Sequence, residues 1–152
     1  MTVNLRFPRF GIFRCCLILG FALAAVDLRA EDLNLDAQLI WGTNSDKPPE
    51  PALPEVDKET AKKLRNVFKW KHYYLINKTN AVVASRGTKR IPLSKKCTIE
   101  ITELEGPKVG VTLIGEQKPV NKTAKPLSKG ESIVIAGDDK NDCAWFVVIA
   151  QK

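Results

Sequence analysis

The sequence predicts a mainly β protein, a compact β-sandwich or small barrel of about seven or eight short strands with one short helix near residues 57–68. Three observations predict it. From residue 31 onward, apolar residues recur mostly at every second position, the period of a strand with one face buried. The runs are short and are separated by turn formers, such as Gly106 with Pro107 and the segment 137–142. Only one stretch changes to the helical period.

The chain opens differently. Arg6, Arg9 and Arg14 come first with no acid among them, and an apolar run of 12 residues follows at 15–26. Ala30 then precedes Glu31 and Asp32. A basic start, a short apolar centre and a small residue before a polar stretch describe a signal peptide over residues 1–30, cut after Ala30, or at Ala24 or Ala25. The run is shorter than the roughly 20 residues that span a bilayer, so no stable membrane span is expected after cleavage. Cys15 and Cys16 precede the apolar run, whereas a lipidated cysteine follows it, so both leave with the leader. The expectation is a single β-rich domain at 31–152, placed outside the cytoplasm in a periplasm or secreted. The whole chain has 24 Lys+Arg and 17 Asp+Glu; the leader holds four Arg and one Asp, which leaves 20 against 16, a net +4. That mild surplus points away from nucleic acid, whose binders concentrate positive charge on one face.

In residues 33–42, Leu33, Leu35, Ala37, Leu39 and Trp41 share one face, and Asn34, Asp36 and Gln38 the other, which makes a half-buried strand. Pro48, Pro49, Pro51 and Pro54 then lack backbone donors, so 44–56 is a stiff connector within the domain. Residues 57–68 make the helix, with Asp57 as cap, Glu59 in the first turn, basic residues later, and Ala61, Leu64 and Phe68 as its apolar stripe. A strand follows at 68–76 with Trp70, His72, Tyr74 and Ile76 on one face. Residues 77–80 read as a turn, 81–85 as a short strand, and 86–96 as a basic irregular stretch with an edge strand ending at Pro92. Residues 97–104 and 109–115 form a hairpin with Cys97, Ile99, Ile101, Val109, Val111 and Leu113 inward. Residues 117–123 extend the meander. A last hairpin joins 131–137 to 143–150, whose strand is apolar on both faces and belongs at the centre of a sheet.

Outside the leader, the cysteines are Cys97 and Cys143. In an oxidising compartment two such cysteines pair, and a Cys97–Cys143 disulfide across 45 intervening residues is worth about 3–4 kcal/mol. Both begin their strands, so the bond requires strands running the same way or facing each other across two packed sheets. The inward parity of Cys97 favours the packed sheets.

No catalytic constellation is legible. The single histidine, His72, has no nucleophile motif beside it, which leaves a packed imidazole. No zinc ligand spacing and no phosphate loop occurs, and no metal or cofactor is expected. Residues 137–142 crowd Asp138, Asp139, Asn141 and Asp142 without the spacing of a calcium loop, and they read as a plain turn. Asn77 and Asn121 each open an Asn-Lys-Thr acceptor triplet, which matters only in a glycosylating host. The candidate binding residues are Arg86, Lys89, Arg90, Lys95 and Lys96, a basic stretch suited to an anionic surface, joined by the aromatic run 68–74. The function this supports is a small exported non-catalytic domain that binds another protein or an anionic envelope component. The alternative is a small hydrolase or carbohydrate-active protein using carboxylates among Glu100, Glu103 and Glu105.

Overall fold

Period-two alternation places apolar side chains on one face of each strand, and the computed structural model, which describes residues 31–47, 49–139 and 143–152, turns those faces toward each other. The described elements follow the order β1 (Leu33–Thr43), α1 (Lys58–Arg65), β2 (His72–Val83), β3 (Thr88–Pro92), β4 (Cys97–Glu103), β5 (Lys108–Gly115), β6 (Lys118–Pro126), β7 (Ser132–Asp139) and β8 (Cys143–Gln151). They form two four-stranded sheets, ordered β2-β1-β8-β7 and β3-β4-β5-β6, in which every pairing is antiparallel. Each sheet keeps two edges, so the strands make an open sandwich and no barrel closes.

The core between the sheets takes Leu35, Ala37, Val147 and Ile149 from one side and Ile99, Ile101, Val111 and Leu113 from the other. Fully burying each of the larger of these side chains contributes about 1.5–3 kcal/mol. A second core lies on the opposite face of the first sheet, where Ala61 and Leu64 of α1 cover Ile40, Phe146 and Val148. This second layer is why β8 is apolar on both faces: Val147 and Ile149 enter one core, Phe146 and Val148 the other.

The helix is set by its cap. Asp57 accepts the Thr60 N–H at 2.9 Å and the Thr60 hydroxyl at 2.7 Å, and Glu59 pairs with Lys63 one turn on at 3.0 Å. It ends at Arg65, earlier than the sequence predicts, because the Val67 and Phe68 N–H groups both close on the Leu64 carbonyl. Phe68 then turns in against the Phe146 ring, 4.7 Å between centroids.

Strand β2 also departs from expectation. Residues 77–80 are not a turn; they lie inside one continuous 12-residue strand that pairs with β1 along its length. A register shift at Leu39/Ile40 absorbs an extra residue, and Asn77 Nδ2 donates to the Leu93 carbonyl at 2.9 Å, so the polar tract is satisfied in place. Trp70 precedes the strand and does not share the face of Tyr74; it packs near Gly42 on the helix side, where Tyr73 is buried with it. The connector runs beside β2: the Leu75 N–H donates to the Pro54 carbonyl at 2.7 Å, and the Val56 N–H to the Tyr73 carbonyl at 3.1 Å.

The expected Cys97–Cys143 disulfide is not present in the structure. The two cysteines do begin strands in the two facing sheets. A disulfide needs Cα atoms within about 7 Å and a matching geometry, and the bond is not formed between these two strand starts. The signal peptide at 1–30, and residues 140–142 of the last turn, lie outside the described residues.

Candidate functional site

The basic stretch is built on an edge strand, and that geometry separates its members. Arg86 stands in the β2–β3 turn at φ 56°, and its N–H donates to Glu103 Oε2 at 2.6 Å. Lys89 and Arg90 are consecutive on β3 and therefore project to opposite faces. Lys89 reaches across to the Val82 carbonyl at 3.0 Å, while Arg90 Nε pairs with Glu100 Oε2 at 2.7 Å. Lys95 and Lys96 sit in the β3–β4 turn at the far end, with Lys96 Nζ 3.9 Å from Glu116 Oε1. The five residues thus divide between two faces and two ends of β3.

The carboxylates are divided in the same way. Glu100 and Glu103 are three residues apart on β4, so they face opposite ways. Glu100 is engaged by Arg90 and Glu103 by the Arg86 N–H, while Glu105 is exposed in the turn beyond. Glu100 and Glu103 therefore do not flank one substrate bond as a pair.

His72, Thr43 and Cys143 occupy one row across β2, β1 and β8. Two strand spacings put the Cα atoms of His72 and Cys143 about 9–10 Å apart. The His72 ring stacks on Tyr74 at 6.1 Å between centroids, and its Nε2 lies 3.4 Å from Asp46 Oδ1. Among the described residues, no group of three or more His, Cys, Asp and Glu side chains is arranged to hold a metal. Nor, among them, is any helix long and apolar enough to cross a membrane.

At the Cys97 end, the sandwich opens into a cleft of about 490 Å³ between the sheets, lined by Leu39, Ile76, Leu113, Val120 and Trp145. Lys96 and Glu116 stand on its border and Cys97 in its wall. Burial pushes the Cys97 thiol above its ordinary pKa, the opposite of what a reactive thiolate requires.

The four sheet edges differ more sharply than any cluster of side chains does. The outer edge of β2 is bonded by residues 54–56, and farther along Lys89 covers the Val82 carbonyl. The edge strand β3 is five residues long and carries Lys89, Arg90 and Pro92. The edge strand β6 carries Lys118, Lys122 and Lys125 with Pro119 and Pro126. Lysines, prolines and short strands are the devices that keep a sheet edge from pairing with another chain. The sequence of β7, SIVIAGDD, has no lysine and no proline, and its apolar stretch from Ile133 to Ala136 holds no charge. Among the described residues, no strand pairs with its outer edge. The sequence offers the missing lysines and prolines as a signal, but that β7 is an edge at all emerges only from the sheet order.

No family model, no curated protein and no solved structure matches the sequence.

Proposed function

We propose that this chain is an exported, non-catalytic β-domain that binds a partner protein by adding one of the partner's strands to the outer edge of β7. One observation carries the reading: three of the four sheet edges bear lysines, prolines or a bonded connector, and β7 bears none of these, its two charges, Asp138 and Asp139, standing at one end of the strand. Strand addition draws its affinity from main-chain hydrogen bonds and needs no pocket. Export rests on the leader sequence. An anionic envelope component held by Arg86, Lys89, Arg90, Lys95 and Lys96 has less support, because these side chains diverge.

The direction of the free groups follows from one bond. The Gln151 N–H donates to the Glu131 carbonyl, so by alternation Ser132, Val134 and Ala136 turn their N–H and C=O groups away from β8. Ala136 is exposed, and Ala136→Pro would remove an outward donor without touching the β8 ladder. Wild type and A136P are immobilised and exposed to envelope extract, with the melting curve of each as a folding control. A protein retained by wild type and released by a folded A136P supports the reading. Equal retention by both, or retention by neither, contradicts it.

A further inference from the structure

The strand that β7 receives lies beneath β6, and the chemistry of β6 specifies it; this inference rests on the strand-addition reading. Val109, Val111 and Leu113 of β5 face the opposite sheet and are buried. Their partners on β6 are Lys125, Thr123 and Asn121, which therefore project to the same side. Yet Lys125 and Asn121 are exposed and Thr123 is only partly buried. The opposite sheet, which ends at β7, thus does not cover these three side chains, and a strand added to β7 would meet them.

That surface is polar and basic. At the Ser132 end, Lys129 in the connecting loop adds a second cation to Lys125, and no described carboxylate lies within ion-pair distance of either. Glu131, the acid nearest in sequence, accepts the Ser128 N–H at 3.0 Å. A second copy of this chain pairing β7 to β7 would place Ile133 and Ile135 under Lys125 and Thr123, an apolar face against a charged one. We propose that the occupant is an extended segment of a partner protein with acidic side chains at the alternate positions that face β6.

Two synthetic peptides the length of β7 test this, one alternating glutamate with valine, the other lysine with valine. Binding is followed by the backbone amide resonances of Ser132, Val134 and Ala136. The glutamate peptide binds and the lysine peptide binds about tenfold more weakly, the difference between one favourable and one unfavourable exposed charge pair with β6. Lys125→Glu, an exposed substitution, reverses the order, and A136P removes binding of both. If both peptides bind equally and A136P releases both, the acidic preference falls and the edge reading stands. Binding that A136P leaves unchanged, or no binding of either peptide, overturns both readings. A concentration-dependent dimer dissolved by A136P makes the occupant a second copy and overturns the acidic segment.

Discussion

The Trp145 indole on β8 lies across Gly137 on β7 and fills the space where a side chain at 137 would begin. The pairing is direct in the register, and it explains a glycine within a strand: the large ring on one strand requires the empty position on its neighbour. Gly137→Ala would force the ring aside. The expected loss is about 1–3 kcal/mol, typical of an overfilled core, read as a lower urea midpoint with a shifted tryptophan emission. An unchanged midpoint would mean that the ring moves freely in the cleft.

The helix cap carries a pH signature. Hydrogen bonds from the Thr60 N–H and then its hydroxyl hold the Asp57 carboxyl below its ordinary value of 3.8. Its contribution is therefore complete above the ordinary carboxylate range and is lost as pH falls through the lowered value. Asp57→Ala should cost about 1 kcal/mol near neutrality, and the gap to wild type should close in acid. A gap that stays constant down to strongly acidic pH would show that the carboxylate charge is not what the helix uses.

Asp36 on β1 is almost wholly buried, with 8% of its surface exposed. Its Oδ2 pairs with Lys78 at 2.9 Å and more loosely with Lys152 at 3.8 Å, while Oδ1 has no hydrogen-bond partner. Lys78 is about half exposed, so solvent screens the pair. A double-mutant cycle of Asp36→Asn and Lys78→Ala should return about 1 kcal/mol of coupling, shrinking in high salt. Zero coupling would assign the work to Lys152.

Cys97 lines the cleft with a thiol whose pKa burial raises above the ordinary 9.0. Alkylation proceeds through the thiolate, so labelling of Cys97 in the folded protein should need no reductant and should still be accelerating at pH 9. A rate that levels off below pH 9 would contradict the buried setting. A requirement for reductant would restore the disulfide.

What the sequence disclosed was what alternation can carry. The inward sets of β4 and β5, from Ile99 to Leu113, read directly, as did the two-faced apolar run of β8. Residues 77–80 misread as a turn because Asn and Lys are turn formers in isolation; in place, Asn77 bonds the Leu93 carbonyl and β1 supplies the pairing. The pairing of residues 54–56 with β2 is made by main-chain atoms, which leave no mark on side-chain type. The basic stretch looked continuous in one dimension, but the two-residue period of β3 sends Lys89 and Arg90 apart. The candidate edge was hidden for a topological reason: nothing local in SIVIAG tells a central strand from an outer one.

The most direct measurement is amide hydrogen exchange along β7 in the protein without a partner. An open edge predicts an alternating pattern, with Ser132, Val134 and Ala136 exchanging fast and Ile133 and Ile135 slowly. Leu75 on β2, bonded to the connector, should be protected. Slow exchange at all five β7 positions would mean that the edge is already covered, and would contradict strand addition as the means by which this domain binds.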